Sequence, residues 1–190
     1  DGRLKIAIQK SGRLSEKSFA LLEKAGISLL KSKDQLLCRA RNFPLDIFLV
    51  RDDDIPAFLV NDVCQLGILG QNTLLETRLL DPGTFGGLEQ VLELGFGRCR
   101  LSIATPNDMP YDGVSSLSGK TVATSYRGLL ADFLAREGVN ADIVTMEGAV
   151  EVAPVRILRE PSAIWDRLEK RRFRTGFPNK KPIRKARLLL

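Results

Sequence analysis

The sequence has 190 residues, 44% hydrophobic and 27% charged, the mix expected of a soluble globular protein with one ordinary core or two small lobes. No apolar run approaches the roughly 18–20 residues that cross a bilayer. Histidine is absent and the three cysteines stand apart with no Cys-x-x-Cys pair, which argues against a zinc site and a His-based triad. The net charge of +6 is unevenly placed: residues 155–190 hold 12 Lys/Arg and 3 Asp/Glu (+9), leaving 17 basic and 20 acidic residues (−3) in 1–154.

Asp1-Gly2-Arg3 opens straight into a strand-like run without an initiator Met or a signal-peptide layout, so a cytoplasmic chain whose true start lies upstream is expected. Leu4–Ile8 reads as a β-strand and Gln9–Arg13 as a polar turn. Ser15 is the expected N-cap of a helix with Phe19, Leu21, Leu22 and Ala25 on its apolar side, ended by Gly26. Leu45–Val50 is the next strand, and the acidic turn Asp52–Asp54 leads into a helix with Pro56 in its first turn. Cys64–Gly70 reads as a buried strand, with Asn72 the expected cap of the helix that follows. Glu89–Leu94 and Arg100–Thr105 read as strands, Pro106–Ser118 as a loop, Lys120–Thr124 as a strand and Leu129–Arg136 as a helix closed near Gly138. Ala141–Met146 is the last strand expected.

Strands alternating with helices of about ten residues imply βαβ units and a mostly parallel sheet. The expected organisation is a first lobe at 1–95, a second at 96–154 and a basic tail at 155–190, with two strands crossing between the lobes near 95–99. Cys38, Cys64 and Cys99 adjoin apolar runs and are expected as buried free thiols in a reducing cytoplasm.

Candidate chemistry sits at the carboxyl ends of strands, where open α/β sheets bind ligands. Lys10, Ser11, Gly12 and Arg13 lie between a strand and a helix start, so backbone N–H groups and two cations form a candidate anion site there. The same residues suit a plain βα connection. Asp52, Asp53 and Asp54 could hold Mg²⁺, orient a ribose hydroxyl or only match a helix dipole. Gly70 ends a strand; Thr124, Ser125 and Tyr126 follow another and could meet a phosphate or form a capped turn; Glu151 could face a cleft or solvent. Together these turns point to a phosphorylated small molecule bound in a cleft between two lobes.

Ala7-Ile-Gln-Lys-Ser-Gly-Arg-Leu-Ser15, Val50-Arg-Asp-Asp-Asp-Ile-Pro56, Leu66-Gly-Ile-Leu-Gly70, Leu94-Gly-Phe-Gly-Arg-Cys-Arg-Leu101, Gly119-Lys-Thr-Val-Ala-Thr-Ser-Tyr126 and Gly148-Ala-Val-Glu-Val-Ala-Pro154 resemble, in order and spacing, the long form of the ATP phosphoribosyltransferase family. The resemblance covers about four-fifths of the chain. It implies a two-lobed α/β catalytic domain similar to type II periplasmic binding proteins, incomplete at its C-terminal end. It also implies the first step of histidine biosynthesis, in which N1 of ATP attacks C1 of phosphoribosyl pyrophosphate and Mg²⁺ travels with the substrate phosphates. ATP or AMP would meet Lys10–Arg13, with Asp52–Asp54, Gly70, Thr124–Tyr126 and Glu151 lining the cleft. No individual catalytic residue or dedicated metal ligand is implied. A cytoplasmic homo-oligomer, dimer or hexamer, would form from the intact family protein, with no role for nucleic acid or membrane.

After Pro154 the family continues towards Ala-Ile-Cys-Asp-Leu and a Ser-Thr-Gly-Ala-Thr-Leu turn that cradles the 5′-phosphate. This sequence reads Val155-Arg-Ile-Leu-Arg-Glu-Pro-Ser-Ala-Ile-Trp165 instead. The reading frame one base earlier permits Ala-Ile-Cys-Asp-Leu across Glu160–Trp165, Ser-Thr-Gly across Asp166–Glu169 and Asn-Gly-Leu across Arg174–Phe177. A one-base deletion near Pro154 is therefore expected to have produced a truncated, frame-shifted product with little or no activity. Leu158, Ile164, Trp165 and Leu168 could form an amphipathic helical turn, and the chain beyond Arg171 is expected to be loosely attached. The competing readings are a non-catalytic nucleotide- or solute-binding module and a nucleic-acid-binding tail.

Overall fold

The computed structural model describes residues 2–30, 36–98, 101–105 and 110–146, together with the backbone of 163–167. The chain divides into two compact units, 1–98 and 99–190.

In the first unit, strand β1 (Leu4–Gln9) lies between β4 (Leu45–Val50) and β5 (Leu66–Ile68) and runs parallel to both. Two short strands, β2 (Leu29–Leu30) and β3 (Leu37–Ala40), extend the sheet antiparallel beyond β4, giving the order β2-β3-β4-β1-β5. The alternation along β1 decides which layer goes where. Ile6 and Ile8 point into a core with Leu22 of helix α1 (Arg13–Lys24), Ile47, Leu49 and Ile68, while Ala7 faces the opposite side.

That opposite side receives α2 (Ile55–Val60), whose Ile55 is fully buried against Ala7 and Cys64. Ala7 pairs in register with Gly67, so the sheet presents two small residues beneath the helix. A Cβ on Gly67 would lie 2.7 Å from Ile55 Cγ2 and 3.1 Å from Leu59 Cδ1. Glycine here is what lets α2 settle on the sheet. Both faces of β1 are thus covered, as a central parallel strand requires. Helices α3 (Gln71–Leu80) and α4 (Pro82–Phe85) follow β5.

Two elements differ from expectation within this unit. The β2 and β3 strands were not anticipated from the sequence. Residues 89–94 form no strand: Val91 and Leu92 are 82% and 72% exposed, and no ladder partner meets them among the described residues. A strand exists through its pairing, and β-type composition alone does not make one. The following residues do pack, since Leu94 and Phe96 lie on the core beneath α1.

The second unit holds β6 (Leu101–Ala104), a 3-10 turn at Val114–Leu117, β7 (Thr121–Thr124), α5 (Arg127–Arg136), β8 (Asp142–Thr145) and β9 (Ala163–Arg167). Its sheet order is β6-β9-β7-β8, with β9 antiparallel to β6 and parallel to β7. The expectation of a helical turn involving Ile164 and Trp165 is therefore corrected: these residues take ladder positions opposite Ala104 and Ile103. Residues 168–190 lie outside the described residues. Leu101, Ile103, Leu117, Val122, Leu130 and Leu134 form the buried interior. Gly138, at φ 66°, closes α5 as its neighbour Val139 N donates to Leu134 O at 2.9 Å.

Candidate functional site

The site candidates of the first unit lie after β1, β4 and β5, three adjacent parallel strands whose carboxyl ends share one sheet edge. After β1, Lys10 N donates to Val50 O at 2.8 Å, carrying the β1–β4 ladder into the turn. Lys10, Ser11, Gly12 and Arg13 are all exposed. The helix begins at Arg13, and its N-cap is Gly12 at φ 94° with no side-chain cap bond. Ser15, the expected cap, is instead buried within the first turn. The cap position takes a positive φ that glycine tolerates and serine resists, which displaces the helix start. Gly12 offers no side chain to cap α1, and the first-turn N–H groups lie at the positive end of the helix, the kind of place where anions bind.

After β4, Arg51 leads into a 3-10 turn formed by Asp52–Asp54. The three acids are not equivalent. Asp53 is held on the surface by the Arg51 guanidinium, at 2.9 Å to Oδ2 and 3.2 Å to Oδ1. Asp54 is exposed. Asp52 reaches across to the next turn: its Oδ2 accepts the Thr73 hydroxyl at 2.7 Å. Its Oδ1 is buried, with no hydrogen-bond partner among the described residues.

After β5, Gly70 serves as the N-cap of α3, and Asn72 is buried inside the first turn instead of capping it. A Cβ on Gly70 would sit 2.6 Å from Asn72 Oδ1, so the amide occupies the space that glycine leaves. Sequence reading missed Thr73. Its partner lies 21 positions earlier, and only the pairing of β4 and β5 on either side of β1 brings the two together.

In the second unit, Thr124 is fully buried and its hydroxyl accepts the Tyr126 N–H at 2.8 Å. Thr124 thus builds the turn from beneath, while Ser125 and Tyr126 are half-buried. Glu151 lies outside the described residues. Among the described residues no three His, Cys, Asp or Glu side chains group to hold a metal ion. No helix of the described residues is long and apolar enough to cross a membrane.

The family model described as HisG: ATP phosphoribosyltransferase matches residues 51–167. The chain belongs to the ATP phosphoribosyltransferase family. The match takes in the Arg51–Asp54, Gly70 and Thr124–Tyr126 turns and continues through β9, so similarity to the family does not end at Pro154.

Curated proteins named ATP phosphoribosyltransferase include one from Stenotrophomonas maltophilia (strain R551-3), 44% identical over 154 residues, 80% of this chain and 51% of its own length. One from Maricaulis maris (strain MCS10) is 46% identical over 164 residues, 86% of this chain and 55% of its own length. The chain spans about half the length of these relatives. A solved structure, the ATP phosphoribosyl transferase (HisG:HisZ) complex from Thermotoga maritima, aligns with a TM-score of 0.67 at 28% identity, over 88% of this chain and 75% of that one.

Proposed function

We propose that the chain carries the nucleotide-binding front of an ATP phosphoribosyltransferase, a two-lobed domain like those of type II periplasmic binding proteins. In the reaction the adenine N1 of ATP forms a bond to C1 of phosphoribosyl pyrophosphate as the C1–oxygen bond to pyrophosphate breaks. The observation that carries this reading is the open amide end of α1, flanked by exposed Lys10 and Arg13, beside the acidic turn of the neighbouring strand. Such a displacement depends on holding two polyanions in line and offsetting charge on the leaving group, and requires no histidine. Lys10, Arg13 and the α1 amides hold the phosphates of ATP or AMP. Gly70 borders the nucleotide within the first unit, and Ser125, Tyr126 and Glu151 are the second unit's own substrate-facing candidates. Mg²⁺ arrives with the substrate phosphates and supplies charge neutralisation there.

The 190 residues contain no Ser-Thr-Gly-Ala-Thr-Leu string for the ribose 5′-phosphate. We infer that the family's frame is lost after residue 167, where the family match ends, and that this polypeptide turns over little or no substrate. The test is pyrophosphate release from ATP plus phosphoribosyl pyrophosphate, run beside the protein translated in the alternative frame after residue 167. Activity only in the alternative-frame protein is the expected result. A normal rate from the 190-residue chain, or an inactive alternative-frame protein, defeats the proposal. AMP binding to the chain should weaken by about tenfold in Lys10→Ala and in Arg13→Ala, the loss of one charge-assisted hydrogen bond each. Homo-oligomer formation in the cytoplasm belongs to the same proposal, and light scattering on the alternative-frame protein checks the assembly.

A further inference from the structure

Two features of the first unit are left over from its own packing, and they match each other. The sheet order β2-β3-β4-β1-β5 puts β5 at one end, and among the described residues it pairs with β1 alone. A strand in that place presents backbone groups that can take up another strand, and such edges are ordinarily protected by charged side chains. β5 lacks that protection. The 13 residues 63–75 around it contain no Asp, Glu, Lys or Arg, and both Val63 and Leu66 are exposed. Residues 89–94 are the converse: a stretch of strand composition with no ladder partner among the described residues, with Val91 and Leu92 turned out to solvent.

Shape and charge decide the match. Both faces of β5 are covered in this unit: Ile68 belongs to the core with Leu22 of α1, and Gly67 lies beneath Ile55 of α2. A strand laid against β5 must therefore offer apolar side chains to both faces. Val91 and Leu92 are consecutive, so in an extended strand they point to opposite faces and meet that demand. Six extended residues span about 20 Å, against about 10 Å for the three of β5, which leaves margin at each end. Glu89 and Glu93 tell against pairing of the segment with its own counterpart, because an antiparallel register centred on Val91, or a parallel one in register, sets Glu opposite Glu. The uncharged β5 edge carries no such cost. We propose that residues 89–94 of one copy of this chain add a strand to the β5 edge of a second copy, and that the exchange is reciprocal, giving a closed two-fold dimer. The dimer does not depend on the nucleotide reading of the Lys10–Arg13 turn.

Sedimentation equilibrium of the 190-residue chain should return twice the chain mass. Val91→Pro removes a ladder N–H from the donor segment and Leu66→Lys places a charge on the acceptor edge; each alone should weaken dimerisation by at least about tenfold. Mixing the two variants restores one of the two exchanges, because an intact donor then meets an intact acceptor, and should yield a heterodimer. Leu30→Lys, on β2 at the opposite end of the sheet, should leave the dimer as it is. A monomeric unsubstituted chain overturns the inference, and so does an assembly larger than a dimer. It is equally overturned by a dimer that Val91→Pro and Leu66→Lys leave intact, by one lost in Leu30→Lys instead, or by a mixture of the two folded variants that stays monomeric. Should either variant fail to fold, a synthetic peptide of residues 87–95 takes the place of the mixture: in excess it should part the unsubstituted dimer, and a dimer indifferent to it defeats the proposal.

Discussion

Replacing Gly67 with alanine is the sharpest test of how the acidic turn is held against the sheet. The added Cβ would lie 2.7 Å from Ile55 Cγ2, and Ile55 is fully buried at the start of α2. A β-branched residue in a helix has essentially one χ1 rotamer, so Ile55 cannot swing aside and the helix itself must lift. Overpacking of this kind costs about 1–3 kcal/mol. Removing a strand glycine returns about 0.5–1 kcal/mol through the unfolded chain. The net expectation is a destabilisation of about 0.5–2 kcal/mol, read as a lower urea midpoint by far-UV circular dichroism. Ile55→Ala alone should cost about 2–5 kcal/mol. Because the two changes share one space, Gly67→Ala combined with Ile55→Ala should cost less than the sum by about 1 kcal/mol or more. A Gly67→Ala protein as stable as the parent, or strict additivity in the pair, would refute the packing argument.

Thr124→Val should lower stability by about 1–2 kcal/mol, because it strips the Tyr126 N–H of its acceptor beneath the turn; thermal unfolding of the variant measures this. The Asp81 carboxyl, at the start of α4, is held below the usual carboxylate range by the Thr84 side chain first and by the Thr84 backbone N–H, which donates to Oδ1 at 3.1 Å, second. A depressed folded value contributes stability that is present above the unfolded carboxylate pKa and lost as pH falls through the folded one. Asp81→Ala should therefore flatten the acid end of the stability profile, checked by melting between neutral pH and about pH 3. Burial pushes the Cys64 thiol up, outweighing the opposing charge of Lys5. Cys64 and the equally buried Cys38 should resist iodoacetamide at mildly alkaline pH until denaturant is added, as mapped by mass spectrometry.

The sequence carried more of the sheet than of its ends. Alternation in Leu4–Ile8 and the apolar run Leu45–Val50 made the central parallel strands legible, because each must bury its faces whatever its neighbours are. Helix starts were misplaced twice. Ser15 and Asn72 have the chemistry of caps, but Gly12, at φ 94°, and Gly70, whose missing Cβ leaves room for the Asn72 amide, hold the cap positions and leave both in buried first-turn positions. Residues 89–94 have the composition of a strand and lack a partner among the described residues, a fact no local pattern contains. The candidate site was visible as a set of turns after strands. The Asp52–Thr73 bond was not, since it depends on strand order in space and not on spacing along the chain.

The position of β9 bears on how the second unit comes into being. Last of the described strands in sequence, it is central in its sheet, and among the described residues it alone joins β6 to β7. During synthesis the first unit can therefore complete its sheet while the second still waits with two unpaired edges. Those edges stay exposed until residues 163–167 have been made, a non-local closure that is slow and prone to edge-to-edge association. The growing chain is most vulnerable in that interval, and a chaperone that shields extended backbone would act there.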